Sequence, residues 1–338
     1  MDQPLLARPP DEGAHLLALT LLDQAAAAFP RLEDPADSEA LHDFRVALRR
    51  LRSCLRAYRS CLNASLPKKL RRRLRRLARA TGPGRDTEVQ IEWLRPRGQH
   101  LAGTHRASLA WILAHLDGRM RKAYAKLGGR LEDEFPALER GLRQHLSVYR
   151  TEVHLDPQAP RPTFGEATAA VLRAQTVDLE RHLARIEDED DETEAHQARI
   201  SAKRVRYLLE PLLDELPPAA PLVKRLKGLQ DLLGELHDAH VLETELHDAT
   251  LRAATERAEK LFALSLAETP DPKILRAERR RTVESGLIAL ARLNRARRDR
   301  LFEKLEDEWL DGARTDFFAE LAQAAEALLE HPLPPPLP

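Results

Sequence analysis

The 338-residue sequence has only two cysteines, 4% aromatic residues, fourteen glycines and no long apolar run. The two cysteines, Cys54 and Cys61, stand one heptad apart, which separates them by roughly 10 Å on one helix and is too far for a disulfide. A disulfide-stabilised scaffold is therefore excluded, and a reducing compartment is expected. No apolar stretch approaches the ~20 residues of a membrane span, and the first residues lack the pattern of a signal peptide. We predict a cytoplasmic protein without a membrane partner.

Helix-forming residues and segregated charges dominate what is present. Leucine, alanine, arginine and glutamate are abundant, which favours helices throughout. The formal net charge is zero. However, Leu41 to Arg85 contains fifteen Lys or Arg residues and one acid, whereas Glu187 to Glu194 contains seven acids and no base. A charged partner would respond to these local fields and not to the net charge.

Two stripes run side by side along a predicted helix that begins near Leu41 and ends near Leu62. The apolar stripe recurs at steps of three and four residues and consists of Leu41, Phe44, Leu48, Leu51, Leu55 and Tyr58. A basic stripe one residue further along consists of His42, Arg45, Arg49, Arg52, Arg56 and Arg59. Because a helix turns about 100° per residue, the basic stripe flanks the core-facing stripe. Cations at that edge can line a groove between helices.

Proline and glycine divide the rest of the chain into further helices. In the first half, helices are predicted at about Gly13–Phe29, from Pro67 to the Thr81–Gly84 turn, and at Arg85–Pro96, Gln99–Leu127 and Asp133–Tyr149. In the second half, they are predicted at about Thr163–Ile186, Ala195–Glu215, Pro221–Leu236 and His237–Leu266, from Pro272 to Leu310, and from there to Leu329. The acidic run between Glu187 and Glu194 is predicted to be a solvated loop.

An internal repeat relates the two halves. The basic stripe recurs 154 residues later as His196, Arg199, Lys203 and Arg206. The basic helix and turn that follow recur 152 residues later, which relates Arg72, Arg75, Arg85 and Asp86 to Lys224, Lys227, His237 and Asp238. A weaker match relates Arg119, Lys122 and Lys126 to Arg297, Arg300 and Lys304. Such a duplication predicts two similar bundles about a pseudo-two-fold axis, with the basic stripes converging on a shared cavity.

The paired motifs resemble the CHAD family, the conserved histidine α-helical domain. The matching residues are H-x-x-R-V-x-x-R-R-L-R from His42 to Arg52 and H-x-x-R-I-x-x-K-R-V-R-Y-x-x-E from His196 to Glu210. The resemblance extends from Gly13 to about Leu329. It implies two four-helix bundles around a basic central channel, binding of inorganic polyphosphate, and association with polyphosphate granules. Some relatives carry a triphosphatase strand, Glu-x-Glu-x-Lys, which is not found here, so the resemblance implies no catalysis.

We therefore predict an all-α protein with a first bundle at residues 1–154, a linker at 155–162, a second bundle at 163–330 and a proline-rich tail at 331–338. No catalytic residue, cofactor or metal ion is predicted, and the oligomeric state is left open. The predicted polyphosphate-binding residues are His42, Arg45, Arg49, Arg52, Arg56, Arg72, Arg75, Arg85, Arg119, Lys122, Lys126, His196, Arg199, Lys203, Arg206, Lys224, Lys227, His237, Arg297, Arg300 and Lys304.

The chemistry of these side chains suits a phosphate polymer. Arginine donates two parallel hydrogen bonds to phosphate, and lysine adds a point charge. The alternative for the stripes is a solvated charged face. Exposed helix flanks usually carry both signs, whereas the stripe from His42 to Arg59 has one sign only. Packing it without an anion would be repulsive, which favours anion binding.

Three other functions are compatible with parts of the sequence. The same cations would bind the phosphates of RNA or DNA, although the tryptophans Trp93, Trp111 and Trp309 lie outside the basic motifs and provide no evident base-stacking platform. His-Asp pairs at 42–43, 237–238 and 247–248 resemble those of helical metal phosphohydrolases, but the repeat does not preserve them and no carboxylate–histidine cluster accompanies them. The third alternative is a helical scaffold that ignores phosphate polymers.

Overall fold

The computed structural model describes residues 3–34, 36–37, 39–99, 103–149, 162–266, 272–280, 283–310 and 314–330. Every regular element in these ranges is helical, which confirms the all-α class. The α-helices are α1 (Pro10–Ala28), α2 (Ala40–Ala57), α3 (Arg59–Leu62), α4 (Lys68–Ala80), α5 (Gly82–Leu94), α6 (Arg106–Leu146), α7 (Phe164–Leu183), α8 (Glu192–Leu209), α9 (Ala219–Ser265), α10 (Pro272–Arg280), α11 (Val283–Leu305) and α12 (Arg314–Ala327). Short 3-10 segments at Pro30–Glu33, Arg95–Gln99, Gly103–His105 and Glu210–Leu212, and a π-helical turn at Glu306–Leu310, occupy other described positions.

Helix boundaries often coincide with the prolines and capping residues of the sequence. Helix α1 ends before Pro30 and α4 begins after Pro67, as predicted. Helix α7 begins after Thr163, whose hydroxyl accepts a hydrogen bond from the backbone N–H of Glu166 while the Glu166 carboxylate accepts one from the Thr163 N–H. The predicted linker at 155–162, apart from Pro162, and the tail at 331–338 lie outside the described residues.

The two longest helices continue through positions where breaks were predicted. Helix α6 runs through Gly128 and Gly129, and α9 runs through His237. The predicted stop at the glycine pair and the predicted boundary before His237 are therefore wrong. A glycine weakens a helix by only about 1 kcal/mol. Buried Leu127 and Leu131 fix both sides of the glycine pair against the core, which offsets that cost.

Helix α5 begins at Gly82 and not at Arg85, where its start was predicted. Pro83 lies in the first turn, where its missing N–H leaves no intrahelical hydrogen bond unmade. A Cβ atom at Gly84 would lie 2.3 Å from Cε1 of Tyr124 on α6. Only glycine therefore allows α5 to approach α6 this closely at Gly84.

One hydrophobic core joins helices from both halves of the chain. Helices α1, α2, α4 and the second part of α6 contact one another in a ring, and α7, α8, the first part of α9 and α12 form another. A second core lies where α5, α6, α9 and α11 meet, and it includes Ile91, Ile112, Leu242 and Leu287. The long helices α6 and α9 thus extend from one core into the other.

The predicted apolar stripes face the first core. On α2, Phe44, Leu48 and Leu51 are fully buried. The second stripe is buried at each position, comprising Ala195, Ala198, Ala202, Val205, Leu209 and Leu212. The core-facing sides of α2 and α8 are therefore confirmed. Both cysteines are free thiols, as predicted from their spacing.

Close contacts between α1, α2 and α7 connect the halves. The Tyr58 ring lies 4.7 Å from the Phe164 ring, and the Tyr58 hydroxyl is 2.9 Å from Oγ1 of Thr168. A Cβ atom at Gly13 would lie 2.4 Å from Cγ of Phe164. The absence of a side chain at Gly13 allows α1 to lie against the first turn of α7.

Two glycine substitutions are expected to have opposite effects. Gly13→Ala should lower the free energy of unfolding by about 1–3 kcal/mol, because the new methyl group overlaps the buried Phe164 ring. Gly128→Ala should raise it by about 1 kcal/mol, because nothing lies near its Cβ position and alanine favours the helix. Urea unfolding of both variants measures the two values. Equal effects would contradict the close approach of α1 to α7.

Candidate functional site

The basic stripe of α2 lies at the edge of the core, as its offset from the apolar stripe predicts. Arg45 is only 6% exposed, although Arg49 is half-buried and Arg52 is exposed. Burial, reinforced by the neighbouring Arg49 charge, lowers the pKa of Arg45 to about 10. Although Arg52 is exposed, partial loss of solvent around its guanidinium and the charges of Arg49 and other nearby cations lower its pKa.

The basic stripe of α8 meets that of α2. Burial, together with the smaller effects of the Arg199 and Arg49 charges, lowers the pKa of Lys203 to about 7. The pKa of Arg199 is also lowered by burial, with a contribution from Arg49 on the other half of the chain. We refer to Arg45, Arg49, Arg52, Arg199 and Lys203 as the central cluster.

The cations of the central cluster lack partners. None of the five makes a hydrogen bond or an ion pair with any residue in the described ranges, and Nε of Arg199 is buried without an acceptor there. Elsewhere arginines find carboxylates; for example, Nη2 of Arg50 lies 2.8 Å from Oε2 of Glu210. Bringing like charges together away from water is unfavourable unless an anion joins them. The arrangement therefore has the charge and the free hydrogen-bond donors that an anion could satisfy.

Two carboxylates lie near the cluster without neutralising it by direct contact. The Asp86 charge acts on Arg45, and the Asp238 charge acts on Arg199. Burial raises the pKa of Asp238, the Arg199 charge opposes that shift, and the Asp86 charge adds to it. Neither carboxylate makes a hydrogen bond or an ion pair within the described ranges, so their influence on the cluster is through charge alone.

Two of the predicted histidines lie together beside the cluster. The rings of His196 and His237 are 4.7 Å apart. Burial, with the Arg199 charge, lowers the pKa of His237 to about 4 and also lowers that of His196, so both rings are neutral near pH 7. His42, the repeat partner of His196, is exposed at the start of α2. Neutral imidazoles can still donate one hydrogen bond each to an anion.

Helix α4 contributes a separate basic groove of about 1000 Å³. Its cationic lining consists of Lys69, Arg72, Arg73, Arg75, Arg76, Arg79 and Arg130, and we refer to it as the α4 groove. Arg75 and Arg79 are close enough to Arg52 for their charges to lower its pKa, after the larger effect of burial. The α4 groove is thus electrostatically continuous with the central cluster.

Other predicted binding residues are already engaged by acids. Ion pairs with carboxylates at 2.6–3.8 Å involve Arg85, Arg119, Arg206, Arg297 and Lys304. In contrast, Arg56, Lys122, Lys126, Lys224, Lys227 and Arg300 are exposed and form no ion pair with any residue in the described part of the chain. The structure therefore brings the stripes of α2 and α8 together, and it places Arg85 and Arg297 close enough for their charges to act on Arg45 and Asp238, respectively.

Two arginines near the cluster were not predicted to bind. Burial, with the Arg56 charge, lowers the pKa of Arg204, and Arg79 lines the α4 groove beside Arg52. Arg204 follows Lys203 directly and lies off the stripe. Because it lies off the stripe, helical spacing alone does not identify it. Only the crossing of α2 over α8 brings it to Arg56.

Within the described ranges, no group of three or more His, Cys, Asp or Glu side chains is arranged to hold a metal ion. None of the helices there is long and apolar enough to cross a membrane.

The ring of Trp93 lies near two arginines. The guanidinium of Arg97 is 4.0 Å from the ring centroid, and that of Arg297, a predicted binding residue, is 5.7 Å from it. One of the three tryptophans therefore lies beside a predicted binding cation, although it was expected to lie away from the basic motifs.

Comparisons with known proteins identify similar chains. A family model described as CHAD domain matches residues 17–247. The crystal structure of the CHAD domain from the plant Ricinus communis is similar with a TM-score of 0.56 and 20% identity, covering 98% of this chain and 94% of that chain. PptA from Streptomyces chartreusis has a TM-score of 0.56 and 14% identity, covering 87% of this chain and 99% of that chain. At these identities, the likeness concerns the fold alone. No curated protein matches the chain.

The lowered pKa of Lys203 leads to a testable pH dependence. The pKa is about 7 in the folded protein and near 10.5 in an unfolded chain. Below pH 7 Lys203 is protonated in both the folded and the unfolded protein, so its buried charge lowers the free energy of unfolding by the full amount. This destabilisation is lost as the pH rises from 7 towards 10.5, because the folded protein then releases the proton. Lys203→Met should therefore be more stable than the unaltered protein at about pH 6, and the difference should shrink above pH 7. Urea midpoints across this range measure it; a difference that does not depend on pH would contradict the assignment.

Proposed function

We infer that this chain, which belongs to the CHAD domain family, binds inorganic polyphosphate through the central cluster. The family is associated with polyphosphate binding, and its domains are generally binding domains. The single observation that carries the proposal is the set of unpartnered, partly buried cations at the crossing of α2 and α8. A polyphosphate carries about one negative charge per phosphate, so it would supply the anions that this cluster lacks.

The two stripes are proposed to line one basic channel between duplicated bundles, residues 1–154 and 163–330. Repeat-related residues have related surroundings, which supports the duplication. Arg45 lies near the charge of Asp86, and its counterpart Arg199 lies near that of Asp238, the counterpart of Asp86. His196 and His237 are proposed as hydrogen-bond donors at one end of the site.

The proposed role is non-catalytic. A metal phosphohydrolase would need ligands grouped around an ion, and the described residues hold no such group of three. The cations that surround His196 and His237 would also repel a metal ion. Binding without turnover suits a protein that associates with polyphosphate granules in the cytoplasm, and we include that location in the proposal.

Nucleic acid is the second candidate ligand, because the same cations would bind its phosphates. The two ligands can be distinguished by competition. Fluorescent long-chain polyphosphate is bound to the protein at several salt concentrations and challenged with an excess of tRNA or single-stranded DNA. Affinity should fall steeply with salt in every case, because binding releases counterions. Retention of polyphosphate against the excess supports the proposal, whereas equal competition points to a general phosphate-binding surface.

Charge reversal in the central cluster is expected to abolish binding. The double change Arg49→Glu with Lys203→Glu places acids at the crossing of α2 and α8, where both cations contribute to the same field. Polyphosphate affinity should fall by about a hundredfold or more. Circular dichroism should show unchanged helix content, because neither residue belongs to the hydrophobic core.

A matched control makes the same change of net charge at a distance from the cluster. Arg121→Glu with Arg292→Glu alters two exposed arginines on α6 and α11. This variant should retain affinity within about threefold, since non-specific field effects are screened by salt. Unchanged affinity in the Arg49 and Lys203 variant, or an equal loss in the control, would refute the central cluster as the binding site.

A further inference from the structure

We propose that a long polyphosphate chain leaves the central cluster on one side only, over α4, and that the α4 groove is a second phosphate-binding subsite. This inference rests on the proposed function. It specifies the side of the central cluster towards which the bound polyphosphate extends, which the internal repeat alone does not predict. Three differences between the halves, each in a different pair of elements, support it.

The first difference lies at the crossing of α2 and α8. Two contacts there are related by the repeat, Arg50 with Glu210 and Arg204 with Arg56. The first is an ion pair of 2.8 Å, and Glu210 also pairs with Arg206 at 2.7 Å. The second places two arginines near each other, and neither makes an ion pair in the described ranges; the pKa of Arg204 is lowered by burial and by the Arg56 charge, although the Asp178 charge opposes that shift. One side of the crossing is therefore neutralised, and the other keeps its positive charge.

The second difference lies in the helices that follow. The α4 groove is lined by seven cations, of which Arg76 and Arg130 pair with Glu134 at 3.1 and 2.9 Å, whereas the corresponding turns of α9 carry Lys224, Arg225 and Lys227. The repeat places Gly228 and Asp231 at the positions of Arg76 and Arg79. Arg225, which corresponds to Arg73, pairs with Glu320 on α12 at 3.0 Å. Within the described ranges the first half thus presents a longer row of cations without ion pairs beyond the cluster than the second half, namely Lys69, Arg72, Arg73, Arg75 and Arg79 against Lys224 and Lys227. The charges of Arg75 and Arg79 act on Arg52, which connects this row to the cluster.

The third difference is an acidic boundary at the histidine end. Glu192, in the acidic run 187–194, has a carboxylate oxygen 3.7 Å from Nδ1 of His237. The run is fixed in place by the buried Arg298, whose Nη1 lies 2.9 Å from Oδ1 of Asp190. Carboxylates held there repel a polyanion. A chain seated in the cluster therefore meets negative charge in that direction and positive charge towards α4.

The test compares two pairs of substitutions at repeat-related positions. Arg72→Gln with Arg75→Gln changes the α4 groove, and Lys224→Gln with Lys227→Gln changes the corresponding turns of α9. All four side chains are exposed, so both variants should fold normally. Each protein is titrated with long-chain polyphosphate and with tripolyphosphate, whose three phosphates can contact far fewer of these cations at once than a long chain can.

The α4 variant should bind long-chain polyphosphate about tenfold more weakly, with the slope of log affinity against log salt reduced by about 1.5, and should bind tripolyphosphate within about twofold of the unaltered protein. The α9 variant should match the unaltered protein with both ligands, a result that would withdraw Lys224 and Lys227 from the binding residues predicted from the sequence. Equal weakening by the two pairs would overturn the one-sided path and leave the proposed function intact. Equal loss of both ligands in the α4 variant would overturn the second subsite. Failure of the unaltered protein to bind either ligand would instead refute the proposed function itself.

Discussion

Like-charged side chains held together at the edge of the core are the constraint on which the rest of the proposed site depends. The Arg49 charge on one half contributes to the lowered pKa of Lys203 on the other, and neither side chain makes an ion pair within the described residues. Such an arrangement persists only if the helices that carry it are fixed by other interactions. The shared core, the Tyr58–Thr168 hydrogen bond and the contact of Gly13 with Phe164 supply that rigidity.

Adjacent stripes on one helix explain how the same residues serve folding and binding. On α2 the side of Phe44 and Leu48 is buried, and the side of Arg49 lies next to it. Packing α2 against α8 therefore orients both basic stripes towards each other, and no additional interaction is needed to bring them together. In the proposed site the unfavourable free energy of the crowded cations is offset by core burial in the free protein. It is recovered when a phosphate chain binds, which is why a site of this kind has preorganised charge.

The sequence predicts local features well and long-range geometry poorly. Helical spacing correctly identifies which sides of α2 and α8 face the core, because burial imposes a period that can be read along a single helix. The continuity of α6 through Gly128 could not be predicted, because it depends on the burial of the flanking Leu127 and Leu131 against helices distant in sequence. Likewise, Arg85 and Arg119 look equivalent to Arg49 in the sequence, but acids from other turns and helices pair with them. Helical spacing places Glu88 beside Arg85, but it gives no information on the pairing of Arg119 with Glu245 on another helix.

Divergence after duplication can turn a symmetric site into one with a direction. Two equivalent halves would present the same cations at both ends of a shared channel, and a polyanion would have no preferred exit. A single acid such as Glu210 at the position of Arg56 removes that equivalence, because it neutralises one end of the crossing and leaves the other charged. The effect of this asymmetry on binding is largest for a polymer, because its second segment can bind only at cations next to those that hold its first segment. The asymmetry of the cations around α4 therefore matters more for a phosphate chain than for a small anion.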